Sequence, residues 1–221
     1  MLTAELINNT IPRLQPADSI AKALQLINDY RITHLPVVAE EKYLGLISED
    51  DLLDVEEEEK GTIQGMEQHF IRAAVKENEH FLNAVNFSNL HESTVVPILN
   101  DENEFIGVIT VPDLLKALGD FSGASEIGGL IVMEMERSQF ALSEISRIVE
   151  SNDAHVLHLN TTTDAVTGML TVTLHLNKKE IAAIVASFER YEYDVLYYFG
   201  DEKFENEIHN NYRHLMNYLD I

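Results

Sequence analysis

The sequence predicts a mixed α/β chain in which a duplicated half, residues 1–120, precedes a β-α-β-β-α-β unit at residues 128–200. A strand-rich pattern occurs twice in the first half at a constant spacing, and apolar residues in the second half follow strand and helix periods in turn. The chain has 221 residues, of which 45% are hydrophobic. At roughly 100–200 residues per domain, this suits one large domain or two smaller ones.

The duplication consists of an apolar strand with a proline, a polar loop, and an apolar strand with a glycine that ends at a helix start. Gly45 and Gly107 are 62 residues apart, as are Asp51 and Asp113. The matching segments are 34–38, 43–48 and 51–53 in the first copy and 95–99, 105–110 and 113–115 in the second. Because one copy, residues 1–60 or 61–120, cannot bury its apolar face alone, we expect the two to pack on each other.

A helix is predicted before each strand pair. In the first copy Asp18 or Ser19 can cap it, and its apolar face consists of Ile20, Ala23, Leu24 and Ile27. In the second copy Asn78 is the predicted cap, and the apolar face consists of Phe81, Leu82, Val85 and Leu90. Between the copies, the acidic run 54–61 is typical of a solvated helix end or loop.

The second half begins after a small, flexible stretch at 119–125, and residues 121–127 are predicted to be a linker. The predicted strands are 130–133, 155–159, 169–174 and 195–199. The predicted helix faces are Leu142, Ile145, Ile148 and Val149, then Ile181, Ile184, Val185 and Phe188, the second helix being capped by Asn177 with Glu180. This order is that of the ferredoxin-like unit. An amphipathic helix is predicted at 201–221 from Phe204, Ile208, Tyr212, Leu215 and Leu219.

The duplicated half resembles a pair of CBS domains, the tandem module named after cystathionine β-synthase. That resemblance implies two β-α-β-β-α units with two clefts for adenosyl ligands such as AMP, ADP, ATP or S-adenosylmethionine. It further implies that Ser48, Asp51, Thr110 and Asp113 line the ribose sides of the clefts. Segments 32–36 and 93–97 would border the bases, through Thr33, His34, Leu35, Pro36, Thr94, Val95, Val96 and Pro97.

Elementary chemistry agrees with this use, because a carboxylate can accept hydrogen bonds from two vicinal ribose hydroxyls. A helix N-terminus also favours an anion. The alternative is that Ser48 and Thr110 only cap helices, with Asp51 and Asp113 as acids of the first turn. Both roles are compatible in one residue.

The two predicted clefts differ in charge. Glu49 and Asp50 make the first helix start acidic, so a phosphate there needs Mg²⁺, whereas Val111 and Pro112 are neutral. The second cleft is therefore the better phosphate site, and the first favours adenosine, a cationic ligand or no ligand. The basic residues that could offset phosphates are Arg13, Lys22, Arg31 and Arg72.

The second half resembles an ACT domain, a small regulatory βαββαβ unit, most clearly at residues 142–149. Amino-acid-binding ACT domains often have Asp and Gly in the turn before this helix. Here the turn, residues 136–141, has no glycine. Pairing with a second copy is therefore favoured over binding an amino acid, and we expect a homodimer.

Charge excludes several classes of partner. The chain has 15 Lys and Arg residues against 38 Asp and Glu, for a net charge of −23. Nucleic acids and anionic membranes are disfavoured, because both are bound through basic residues. There is no signal-peptide pattern at the start and no apolar run of about 18 residues, so we expect a cytoplasmic protein.

Catalytic and metal-binding patterns are weak. Without cysteine, thiolate chemistry and cysteine metal sites are excluded. His155 and His158 would face opposite sides of a strand, and His209 and His214 have a poor ligand spacing. The glycines 119, 123, 128 and 129 match no phosphate-binding loop. We expect no catalytic residue, no resident metal and no tightly bound cofactor.

The sequence therefore favours a non-catalytic regulatory protein. Its CBS-like pair would sense an adenosyl ligand, with or without Mg²⁺, and its ACT-like half would relay this to a dimer contact or an unidentified regulated protein. Two alternatives stay open: a structural oligomerisation module with degenerate clefts, and a small enzyme that uses Asp51 or Asp113.

Overall fold

The computed structural model describes residues 1–56 and 61–201 and divides the chain into two compact units, Met1–Leu118 and Gly119–Ile221. The predicted C-terminal helix with Phe204, Ile208, Tyr212, Leu215 and Leu219 lies outside the described residues, as do Glu57–Glu59 of the acidic run and His209 and His214.

The first unit contains the two predicted copies as consecutive sets of elements. The first copy has α1 (Ile20–Tyr30), β1 (His34–Ala39), β2 (Lys42–Ser48) and α2 (Glu49–Glu56). The second copy has β3 (Val75–Lys76), α3 (Phe81–His91), β4 (Val95–Leu99), β5 (Phe105–Thr110) and α4 (Val111–Ser122). Strand β3 runs parallel to β4, and in the first copy a single bridge from Leu14 to Val37 takes the place of that strand.

Helix α1 begins where the sequence predicted. The Ser19 hydroxyl accepts a hydrogen bond from the Lys22 amide at 3.2 Å, which satisfies a backbone donor of the first turn. Ile20, Ala23 and Ile27 are buried. The helix ends at Arg31, which adopts a left-handed conformation with φ 54°.

Helix α3 differs from its prediction. Its N-cap is His80, and Asn78 instead donates its side-chain amide to Asp101. Helix α3 buries Phe81, Ala84 and Phe87, whereas Leu82 and Leu90 are exposed. The assignment of Asn78 as cap and of the two leucines to the apolar face was therefore wrong, because the helix begins at 81 and positions three residues apart face the core.

One hydrophobic core joins both copies. It includes Leu35 and Leu46 from the first hairpin and Val96 and Ile109 from the second, all fully buried. Since neither hairpin has a separate core, the expectation that the copies pack on each other is confirmed.

Two crossing segments, residues 7–9 and 69–71, connect the copies further. Asn8, from the start of the first copy, forms a bridge with Val108 in β5. Ile71, from the start of the second copy, forms a bridge with Leu46 in β2, with both backbone hydrogen bonds at 2.9 Å. Each copy therefore lends a segment to the edge of the other copy's hairpin.

The repeated glycines make these crossings possible. Gly45 and Gly107 both have φ +154° and lie against a crossing segment. A Cβ atom at Gly45 would stand 2.6 Å from the Cβ of Phe70, and one at Gly107 would stand 2.5 Å from Cγ2 of Ile7. No larger residue fits there without displacement, because real Cβ contacts are longer than this.

The second unit has the predicted β-α-β-β-α-β order. Its elements are β6 (Gly129–Met135), α5 (Leu142–Glu150), β7 (Val156–Thr163), β8 (Leu170–Leu176), α6 (Ala182–Arg190) and β9 (Asp194–Phe199). The strands form an antiparallel sheet in the order β7-β8-β6-β9, which is the ferredoxin-like arrangement. Ile145, Ile148, Ile184 and Phe188 on the two helices are buried in its core.

Two details of this unit depart from the sequence prediction. The side chain of Asn177 accepts a hydrogen bond from the His155 amide at 2.7 Å. Helix α6 begins at Ala182 without a side-chain cap, so the predicted Asn177–Glu180 capping box was wrong. Leu142, predicted on the helix face, is 52% exposed. In addition, α4 extends through Gly119 to Ser122, so the predicted linker begins inside a helix.

Candidate functional site

Ser48 and Asp51 form a reciprocal unit at the start of α2. The Ser48 hydroxyl donates to the Asp51 carboxylate and accepts a hydrogen bond from the Asp51 amide at 3.1 Å. This is the geometry of a helix cap, and it also fixes the direction of the carboxylate. The Asp51 side chain is 33% exposed, so a ligand can reach it.

Thr110 and Asp113 repeat this unit at the start of α4. The Thr110 hydroxyl donates to Oδ2 of Asp113 at 2.5 Å and accepts from the Asp113 amide at 3.4 Å. Hydroxyl, carboxylate and helix start therefore recur in both copies, with the geometry expected for residues that cap helices.

Each carboxylate also has a partner from a crossing segment, and the two partners differ. His69 Nδ1 lies 3.0 Å from Oδ1 of Asp51. Asn8 donates its Nδ2 to Oδ2 of Asp113 at 3.2 Å. Sequence reasoning missed both residues, because they lie outside the repeated motif and reach the acids only through the exchange of segments.

The predicted base-bordering segments meet one another through Thr33 and Thr94. The Thr33 amide donates to the Thr94 hydroxyl at 2.8 Å, and the Thr94 amide donates to the Thr33 hydroxyl at 3.1 Å. These two threonines are half-buried, whereas the other residues of the two segments that were predicted to border a base are buried: His34, Leu35, Pro36, Val95, Val96 and Pro97.

His34 distinguishes the first copy from the second, where Val95 occupies the matching position. His34 is 7% exposed, and its Nδ1 lies 2.8 Å from the Thr33 hydroxyl. Burial lowers the pKa of the His34 imidazole, although the Asp51 and Asp50 carboxylates oppose that shift. The ring is therefore held in its neutral form, and either tautomer can serve the Thr33 hydroxyl.

Of the four basic residues considered for phosphate binding, Arg31 is the C-cap of α1, two residues before Thr33, and the other three have other surroundings. Lys22 pairs with Asp18 at 2.7 Å. Arg13 and Arg72 line a cavity of about 900 Å³ beside the turns of the two hairpins. Those turns are at the opposite ends of β2 and β5 from Ser48 and Thr110, which is roughly 20 Å away at about 3.3 Å per residue.

A second cavity, of about 600 Å³, lies in the ferredoxin-like unit. Its acidic lining residues are Glu134, Glu144, Glu192 and Asp194. The Tyr193 hydroxyl donates to Glu144 at 3.2 Å, and burial, with a smaller contribution from Glu144, raises the pKa of Tyr193. The cavity would therefore repel a ligand carboxylate.

Residues 1–56 and 61–201 contain neither a candidate metal-binding cluster nor a candidate membrane-spanning helix. That part of the chain has no group of three or more His, Asp or Glu side chains placed to hold a metal ion. It also has no helix that is long and apolar enough to span a membrane.

Comparisons with known proteins address the first unit. The sequence model of the CBS domain matches residues 4–58 and 75–120. Two curated relatives come from Methanocaldococcus jannaschii: an inosine-5'-monophosphate dehydrogenase, 30% identical over 113 residues, and an uncharacterized protein, 28% identical over 141 residues. The aligned regions cover 51% and 54% of this chain but only 22% and 50% of those relatives.

One similar solved structure is a CBS domain pair/ACT domain protein from Thermotoga maritima, with a TM-score of 0.49 and 17% identity. The match covers 55% of this chain and 98% of that one.

Proposed function

Residues 4–58 and 75–120 are a pair of CBS domains, and on that premise we propose that this protein is a non-catalytic sensor of an adenine nucleotide or related adenosyl ligand. The observation that supports this is the repeated unit of hydroxyl, carboxylate and helix start at Ser48–Asp51 and Thr110–Asp113. A carboxylate held this way accepts hydrogen bonds from a ribose diol, and the helix start favours a nearby phosphate.

The second cleft is the proposed site for a phosphate-bearing ligand such as AMP, ADP or ATP. Val111 and Pro112 follow Thr110 there, whereas Glu49 and Asp50 follow Ser48 in the first copy. Two extra carboxylates at the first helix start disfavour phosphate unless Mg²⁺ neutralises it. The first cleft suits adenosine or S-adenosylmethionine, whose sulfonium is cationic.

The ferredoxin-like unit is proposed as an ACT-like homodimerisation domain. Its edge strand β9 exposes Tyr197 and Phe199, by 52% and 60%, and exposed aromatic residues are common at protein interfaces. The acidic cavity and the absence of glycine from residues 136–141 favour this role over amino-acid binding. A ligand that prefers one arrangement of the two CBS domains would shift the population of the dimer.

Calorimetric titration of the full chain tests the sensor role. AMP, ADP, ATP and S-adenosylmethionine should each be titrated with and without Mg²⁺. We expect at least one of them to bind, with nucleotide binding in the second cleft. Failure of all four to bind would contradict the proposal and favour the alternative, a structural oligomerisation module with degenerate clefts.

Analytical ultracentrifugation of the same samples tests the dimer. We expect a homodimer at micromolar concentration whose dissociation constant changes when AMP is added. A monomer under both conditions would contradict the proposed role of the ferredoxin-like unit.

A further inference from the structure

The first cleft combines carboxylates with a titratable partner. The first turn of α2 has three acids, Glu49, Asp50 and Asp51, whereas that of α4 has Asp113 alone. Acids placed this closely repel a phosphate. His69 Nδ1 lies 3.0 Å from Oδ1 of Asp51. Since an imidazole changes its charge between about pH 5 and 8, the net charge of the first cleft depends on pH.

The contact with Asp51 determines which nitrogen of His69 can take up a proton. An ionised carboxylate only accepts hydrogen bonds, so Nδ1 must carry the hydrogen of this contact. Nε2 of the neutral ring then has the free lone pair. The side chains of His69 and Asp51 are each 33% exposed, so protons can exchange with water. The ring can therefore become cationic without losing its hydrogen bond to Asp51.

His34 belongs to the same group of charges but has a different environment. From β1 it faces Asp50 and Asp51 of α2 and His91 of α3. Burial lowers the pKa of His34, although the two carboxylates oppose that shift. His34 therefore stays neutral to lower pH than a free imidazole does. His69, which is partly exposed and beside a carboxylate, is the histidine placed to change the charge at Asp51.

The second cleft has no corresponding group at these two positions. The crossing-segment partner of Asp113 is Asn8, whose amide donates to Oδ2 at 3.2 Å and does not titrate. Val95 occupies the position that matches His34. The charge beside Asp113 is therefore expected to vary less with pH than the charge beside Asp51.

We propose that His69 makes nucleotide binding in the first cleft proton-coupled: when the imidazole gains a proton, the cleft accepts a 5'-phosphate that its acids otherwise repel. The second cleft then binds AMP at neutral and acidic pH, and the first binds AMP only on acidification or with Mg²⁺. This inference rests on the proposed function, and it specifies the regulation of one of the two sites.

The distance over which His69 acts is short enough for this coupling. A 5'-phosphate is joined to the same ribose that Asp51 is proposed to hold. Its separation from His69 is therefore of the order of the Debye length, about 8–10 Å at moderate salt, so the attraction is only partly screened. Adenosine has no phosphate, and its affinity for the first cleft is expected to depend little on the charge of His69.

Calorimetry of the full-length Asp113→Asn protein tests the proposal, because binding in its second cleft is weakened. AMP and adenosine are titrated without Mg²⁺ at about pH 8.0 and about pH 6.0. The affinity for AMP relative to adenosine should rise on acidification. Titrations in two buffers of different ionisation enthalpy should show more proton uptake with AMP than with adenosine.

Asp113→Asn with His69→Asn is the matched control. Asparagine keeps an N–H donor for Asp51 but cannot gain a proton. Ionisation of the AMP phosphate, of His34 and of His91 is common to both proteins and cancels in the comparison. The acid-induced rise in relative AMP affinity should be about fivefold larger with His69 than with asparagine, the effect of one partly screened charge.

The possible outcomes separate this inference from the sensor function. An equal rise in both proteins, or a rise in neither, would show that His69 is not the proton-coupled group, and the sensor function would stand. If adenosine does not bind Asp113→Asn although AMP binds wild type, the first cleft takes no ribose and the inference fails alone. If AMP, ADP, ATP and S-adenosylmethionine all fail to bind wild type, the sensor function itself is wrong.

Discussion

The first and second CBS domains have the same backbone plan but different surroundings for the same acid. Both place a hydroxyl and a carboxylate at a helix start, and both accept a crossing segment beside a glycine. The first domain surrounds Asp51 with His34, His69 and two further acids, whereas the second has Val95 and Asn8 near Asp113. The two copies thus share the residues that shape the backbone and differ in the residues that surround the carboxylate.

The largest expected effect is the loss of stability on substitution of Gly45 or Gly107, against which the crossing segments pack. Gly45→Ala and Gly107→Ala should each lower the free energy of unfolding by about 2–4 kcal/mol, because the new Cβ overlaps its neighbour and φ is unfavourable for alanine. The effect should be larger at Gly45, where the Cβ would meet the Cβ of Phe70, which moves only with the backbone, than at Gly107, where it would meet Cγ2 of Ile7 and Oδ1 of Asn9, which side-chain rotation can move. Urea unfolding measures both.

Gly65 is a matched control for these two substitutions. It has no atom within 4 Å of the position a Cβ would take. Gly65→Ala should change stability by less than about 1 kcal/mol. A larger loss at Gly107 than at Gly45 would mean that the two crossings are not packed as described.

The next largest effect is a difference in AMP affinity between substitution of Asp113 and substitution of Asp51. Asp113→Asn should weaken AMP binding by at least about tenfold, since it removes a charged acceptor of the ribose diol. Asp51→Asn should change the same affinity by less than about twofold, because AMP enters the second cleft first. Calorimetry on both variants checks this, and equal losses would show that the clefts are equivalent.

A smaller effect on stability is expected at Ser19, the cap of α1, and at Asn78, which the sequence predicted as the cap of α3. Ser19→Ala should lower the free energy of unfolding by about 1 kcal/mol, because it removes the acceptor for the Lys22 amide. Asn78→Ala should cost less than about 0.5 kcal/mol, since Asn78 is exposed and its side chain donates a surface hydrogen bond to Asp101. Thermal unfolding distinguishes them, and a larger cost at Asn78 would restore it as a cap.

The smallest effect is a change in pH dependence caused by His34, which faces Asp50 and Asp51 of α2 and His91 of α3. Burial lowers the pKa of His34, so the unfolded chain binds its proton more readily than the folded protein does. This contribution to stability is present above about pH 6.5 and is lost as the pH falls below it. In urea unfolding at about pH 7.5 and about pH 5.5, His34→Val should lose less stability than wild type on acidification. If His34→Val and wild type lose the same stability on acidification, the assignment of this pH dependence to His34 is wrong.

Much of the fold followed from sequence because it depends on local patterns. The repeat, the Ser19 cap and the order of strands in the ferredoxin-like unit are expressed in spacing and periodicity along the chain. The errors at Asn78 and Asn177 have one cause: an asparagine before a helix pattern can bond to a tertiary neighbour instead of a backbone amide.

The candidate site could be predicted only in part. Its hydroxyls and acids lie within the repeated motif, so the repeat was enough to pair each hydroxyl with its acid. His69 and Asn8 reach those acids from crossing segments far along the chain, 18 and 105 residues away. Nothing in their local sequence indicates a partner, and only the tertiary exchange brings them together.

The crossing segments also bear on how the protein is made. Asn8 pairs with Val108, so the N-terminus of the first domain cannot reach its native place until the second domain has been synthesised. At roughly 5–20 residues per second, the ribosome needs about 5–20 s to add those intervening residues. During that interval the N-terminal segment has no native strand to join. The two CBS domains must therefore complete their fold together, after Val108 has been synthesised, and a nascent chain that stops after the first copy cannot reach its native fold.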